Sequence, residues 1–215
     1  MDHHKPETRE FFAVLGKFLY KEAKAWRDAR QGTSDWRKDP VKLANQLGLN
    51  PFANADEVET LFGRDPSERI LLIQPARNQD NILPFLNVSF GKNKDGNSKT
   101  RLVLGMLVKK TSDGEYGFSG YRFESPEDSK NHYFHHIQPV TGIDKNDAIS
   151  ARCAVEWMPT RFPTFPIPAK DSIDLVLLSL MAFRGADFVK RLSAEPTLTK
   201  VQPARRIKEL IGRIS

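Results

Sequence analysis

The feature that most constrains this chain is a change of period near residue 69. From there the sequence runs through "RILLIQ", "ILPFLNVSF", "TRLVLGMLVKK" and "EYGFSGYRFE", short stretches rich in β-branched and aromatic residues. Two of the connectors, "KNKDGNSK" at 92–99 and "TSDG" at 111–114, are built from Gly, Asn and Asp, which tolerate positive φ. Short loops join antiparallel neighbours. With "NHYFHHIQ" and "ARCAVEWM" as further extended runs, the expectation is an antiparallel meander of five or six strands. "LVLGMLV" is apolar on both faces and belongs at its centre, where Gly105 admits a close neighbour. "RFPTFPIP" carries three prolines within 161–168; it should stay out of the ladder and run extended over the surface or along the sheet edge.

Helical signals flank this block. From Pro6 to about Arg30, Phe11, Phe12, Leu15, Phe18, Leu19 and Trp26 fall on one side at 100° per residue, with Lys17, Lys21 and Lys24 opposite. "DPVKLANQLG" offers Asp39 as N-cap, Pro40 at the first helical position and Gly48 as stop. "NADEVETLFG" places Asn54 and Glu57 at capping-box spacing, with Gly63 at its end. Towards the C-terminus, Asp171 should cap an apolar helix ending near Gly185, "ADFVKRL" should follow as another, and "PARRIKELIGRI" has helical apolar spacing. The fold class is therefore α+β, a sheet flanked by N- and C-terminal helices. Residues 1–64 form a helical segment and 65–215 the sheet with its C-terminal helices, together one compact domain.

Composition narrows the function classes. The single cysteine, Cys153, excludes a disulfide framework within the chain and cysteine-rich zinc modules. "MDHHKPETRE" lacks an apolar signal core, and the most apolar run, Ile173 to Phe183, is about half the roughly twenty residues of a membrane span. A cytoplasmic protein without membrane contact is expected. A net charge of +6 over 215 residues suits contact with nucleic acid or an acidic protein. There is no Walker-type glycine loop and no G-x-G-x-x-G between strand and helix.

The densest chemistry is "HYFHHIQ", residues 132–138, with three of the five histidines. On a strand, His132, Phe134, His136 and Gln138 share one face, and Tyr133, His135 and Ile137 the other. His132 and His136 would then stand about 13 Å apart, too far to share a zinc ion whose nitrogen ligands lie about 2.0–2.1 Å away. If the preceding strand pairs with this one, Arg122, Glu124, His132 and His136 line one face. Such a face could bind an anion or, with Glu124, His132 and His136 as metal or catalytic groups, support a divalent-metal hydrolase. A half-buried strand whose imidazoles hydrogen-bond across the sheet requires neither. Further binding candidates are Lys109 and Lys110 on the sheet, and Arg205, Arg206, Lys208 and Arg213, which make the last helix cationic and amphipathic.

The stretch "GYRFESPE…HYFHHIQP…WMPTRFPTFPIP…DLVLLSLMAFRG", within residues 116–185, resembles uncharacterised bacterial proteins from phage-defence and toxin–antitoxin loci. The matching positions are Arg122, Glu124, His132, His136, Gln138 and Pro159. The resemblance implies a role in bacterial defence and carries no mechanism. The resulting expectation is a non-catalytic macromolecule-binding module without cofactor, a subunit or accessory of a defence complex that contacts nucleic acid or a protein partner and forms homo- or hetero-oligomers. The alternative is a metal-dependent nuclease or hydrolase built on the 132–138 cluster.

Overall fold

The computed structural model describes residues 6–61, 69–76, 81–109, 115–126, 134–140 and 165–201, together with Glu209 and Gly212. Three helices, α1 (Pro6–Asp28), α2 (Pro40–Gln46) and α3 (Ala55–Leu61), precede most of the sheet. Three more, α4 (Ser172–Arg184), α5 (Ala186–Ala194) and α6 (Pro196–Val201), follow it. The strands are β1 (Asn50–Pro51), β2 (Arg69–Leu72), β3 (Ile82–Lys92), β4 (Ser98–Lys109), β5 (Tyr116–Glu124), β6 (His136–Pro139) and β7 (Phe165–Pro166). Among the described residues they form one seven-stranded sheet in chain order.

The α+β architecture with helices at both ends is as expected; the strand count is higher, and two short edges account for the difference. The first is β1, which pairs parallel to β2, Asn50 opposite Arg69. A two-residue strand that contains proline gives no periodic signal, so it escaped the sequence reading. The second is β7. Of the proline segment, residues 165–168 are described: Phe165 and Pro166 lie at the sheet edge and join the ladder, opposite Ile137 and His136. The missing proline N–H is bypassed: the neighbouring Ile167 amide donates to the His135 carbonyl at 2.9 Å. "ARCAVEWM", "TSDG" and the last helix "PARRIKELIGRI", apart from Glu209 and Gly212, lie outside the described residues. The short helix α6 was not foreseen, although Glu195 accepts from the Thr197 hydroxyl at 2.7 Å ahead of its first turn.

Caps fix the helix ends. Asp39 accepts from the Lys42 amide at 3.1 Å, and Asn54 from the Glu57 amide at 2.9 Å while its own amide donates back to Glu57 at 2.9 Å. Asp171 accepts from the amides of Ile173 (3.0 Å) and Asp174 (3.1 Å). Gly185 closes α4 with φ of 80°, the left-handed region open to glycine.

The sheet is covered on both faces. On one, Phe11, Phe12, Leu15 and Leu19 of α1 join Leu86, Val88, Leu102, Leu104 and Phe123 of the sheet and the apolar side chains of α4, which is buried on all sides over residues 172–180. On the other, Trp26, Ala44 and Leu49 cover Ile70, Leu72, Leu83, Phe85, Val103 and Leu107. There Gly105 lies under the Phe85 ring, so closely that an added Cβ would collide with its ring carbons. This is the close approach the glycine was expected to allow. No helix among the described residues is long and apolar enough to cross a membrane.

Candidate functional site

The second face does not stay apolar along its length. β4 pairs with β5 so that Arg101 stands opposite Glu124 and Val103 opposite Arg122. β5 pairs with β6 so that Glu124 stands opposite His136 and Arg122 opposite Gln138. Alternation then brings Arg101, Arg122, Glu124, His136 and Gln138 onto one face, the face of Val103 and Leu107 but at its other end. Apolar packing gives way there to charge.

Glu124 is the hub. It is 6% exposed, with Arg101 Nε at 3.2 Å and Lys99 Nζ at 3.9 Å from Oε1. Its Oε2 lies 3.0 Å from Arg122 Nε and 3.5 Å from His136 Nε2. Burial alone would raise the carboxyl; the His136 hydrogen bond and then the charges of Arg122, Arg101 and Lys99 outweigh it and lower it to about 2. Gln138 joins through Arg122: its amide oxygen, turned towards the guanidinium, accepts from Nε at 2.8 Å.

His136, 2% exposed, is held at both ring nitrogens. Nδ1 lies 3.2 Å from the Phe134 carbonyl oxygen and Nε2 faces Glu124, while the Phe134 ring stands edge-on at 5.9 Å. Its neighbour His135 turns to the opposite face, as strand alternation requires. Burial pulls that imidazole below its ordinary value, against the opposing charges of Asp171 and Asp174 at the head of α4. Adjacent imidazoles thus point apart, and the strand itself, His136–Pro139, is shorter than the expected 132–138 run.

The structure brings together Arg122, Glu124, His136 and Gln138, and it separates Lys109 from them. Lys109 lies eight residues beyond Arg101 on β4, about 26 Å away at roughly 3.3 Å per residue. It lines a different cleft of about 600 Å3, beside Arg30, Thr33, Asp35 and Trp36. His132, Lys110, Arg205, Arg206, Lys208, Arg213, Cys153 and Pro159 lie outside the described residues. Sequence reasoning missed Lys99 and Arg101. Their signal was the alternation of "KTRLV", but it becomes usable only when the β4–β5 register is known.

Among the described residues the cluster gathers three cationic side chains around one carboxylate. Among the described residues, no group of three or more His, Cys, Asp or Glu is placed to hold a metal ion. Glu124 and His136 form a carboxylate–imidazole pair, but both carboxylate oxygens already face cationic or hydrogen-bonding partners. A divalent cation would have to enter against the charges of Lys99, Arg101 and Arg122. An anion would be drawn by them. Comparison of the chain with protein-family models, with curated proteins and with solved structures gave no match.

Proposed function

We propose that this chain is a non-catalytic recognition module that contacts an anionic macromolecule through the polar end of its sheet. The observation that carries the reading is the convergence at Glu124: among the described residues, Lys99, Arg101 and Arg122 meet at this one buried carboxylate. Among the described residues, the carboxylate draws these three cations together, and they outnumber it. That arrangement favours phosphate oxygens or an acidic protein surface, and a nucleic-acid backbone is the sharper form. The basic positions Arg205, Arg206, Lys208 and Arg213 supply a second contact in this proposal, on sequence alone. The resemblance to proteins of phage-defence loci adds the setting, a subunit or accessory of a bacterial defence complex.

The test is fluorescence anisotropy of labelled single- and double-stranded oligonucleotides over a salt series with the full chain. Lys99 is the outermost of the three cations, so Lys99→Gln spares the contacts nearest Glu124. The variant is expected to weaken binding and to lower the slope of log Kd against log salt by about one. An Arg205→Gln/Arg206→Gln pair should lower it further. Absence of binding at low salt, or slopes untouched by these substitutions, would reject the nucleic-acid form.

One observation favours the metal-dependent hydrolase as a second reading: Glu124 and His136 are side by side. It predicts that a divalent ion confers nuclease activity and that His136→Ala or Glu124→Ala removes it. Activity that is absent across added magnesium, manganese and zinc would dispose of this reading.

A further inference from the structure

A second charged cluster lies away from the sheet face, in a cleft of about 490 Å3. Glu22 of α1, Gln74 beyond β2, Arg184 at the end of α4 and Arg191 of α5 line it. The Arg184 side chain is only 5% exposed, and its guanidinium carbon lies 4.6 Å from the centre of the Phe188 ring. Nη2 is 3.5 Å from Glu22 and donates to Gln74 at 3.4 Å. Nη1 is buried and, among the described residues, has no hydrogen-bond partner. Arg191 reaches the other Glu22 oxygen, again at 3.5 Å, and lies over the same Phe188 ring at 5.6 Å.

Two guanidiniums therefore share one carboxylate, each at a distance well beyond the roughly 2.7–2.9 Å of a charge-assisted bond. Burial pulls Arg184 below its ordinary value, and Glu22 offsets this only in part. The other acid in the lining, Asp187, is directed outward and pairs with Lys190 at 3.2 Å. The first turn of α5 borders the cleft, and its N-cap, Gly185, supplies no side-chain cap. The positive end of the helix dipole is thus added to the two arginines.

We propose that this cleft binds an oxyanion, the carboxylate or phosphate group of a small molecule, seated between Arg184 and Arg191. A guanidinium offers paired N–H groups that match such a group in one plane. Phe188 lies against both guanidiniums and holds them in place. Glu22 is the internal competitor for the same donors.

Inorganic phosphate and acetate are the probes, each compared with chloride at matched ionic strength on the full chain. Phosphate, acetate or both should raise the melting temperature above the chloride value, and which of them does so identifies the oxyanion. By titration calorimetry, Arg191→Gln, an exposed and structurally mild change, should weaken the effective anion by about tenfold or more. Glu22→Gln frees both guanidiniums and should strengthen it several-fold. Lys99→Gln should leave it unchanged, which separates this cleft from the sheet face. Equal melting in all three salts would overturn the proposal. So would full affinity in Arg191→Gln, no gain in Glu22→Gln, or loss of binding in Lys99→Gln.

Discussion

Two of the arginine–carboxylate clusters among the described residues are inverted copies of one another. At the sheet end a buried carboxylate is the centre, and Lys99, Arg101 and Arg122 surround it. In the helical cleft a buried guanidinium is the centre, and it shares Glu22 with Arg191. Among the described residues the first centre is outnumbered by its cationic partners, and its ionised form is held firmly. The second is under-compensated, so its charge is carried against burial. Buried ions are tolerated in proportion to the partners they find, and these two clusters lie on opposite sides of that balance.

The sharpest way to break the comparison is to remove each centre. Glu124→Ala removes the carboxylate on which three cations and His136 converge, and should cost about 3–5 kcal/mol in denaturant unfolding. A cost below 1 kcal/mol would mean that the carboxylate does not organise the sheet end. Acid gives an independent reading of the same centre. Glu124 is lowered from 4.5 to about 2 in the folded chain, so its contribution is complete above pH 4.5. It is lost as the pH falls towards 2, by roughly 3 kcal/mol. In Glu124→Gln this part of the acid sensitivity should vanish.

Gly105→Ala, in the apolar middle of the same face, supplies a yardstick free of charge. The new methyl collides with Phe85, and overpacking of this kind costs about 1–3 kcal/mol. That loss should be indifferent to pH between 2 and 5 (the range over which Glu124 titrates), whereas the Glu124 effect follows it. The smallest effect is expected at the second centre. Arg184→Met removes a charge whose burial is poorly compensated and leaves Glu22 paired with Arg191, so thermal unfolding should register a change within about 1 kcal/mol. A loss as large as that of Glu124→Ala would erase the distinction between the clusters.

How much of this was readable beforehand depended on the sequence distance over which each feature is specified. Helix ends were legible because caps are local: Asp39, Asn54 and Asp171 act within three residues. The long central strands were legible because they are apolar and bounded by turns. Arg122 and Glu124 share a face by alternation, and His136 joins them if the two neighbouring strands pair, but Lys99 and Arg101 could not be placed there, because their meeting with Glu124 depends on the register across β4 and β5. Arg184 and Glu22 carried no joint signal at all. They come from opposite ends of the chain, and only the packing of α1 against the C-terminal helices brings them together. The tiny edge strands were missed for the opposite reason: they are too short for any period to show.

Those edges have a consequence for how the molecule behaves in company. Both outermost strands, Asn50–Pro51 and Phe165–Pro166, are two residues long and end in an imino acid. A further strand, from another copy or from a partially unfolded chain, would find little free main chain to zip onto at either side. Among the described residues, the two outermost strands are therefore poor templates for main-chain pairing with a newcomer.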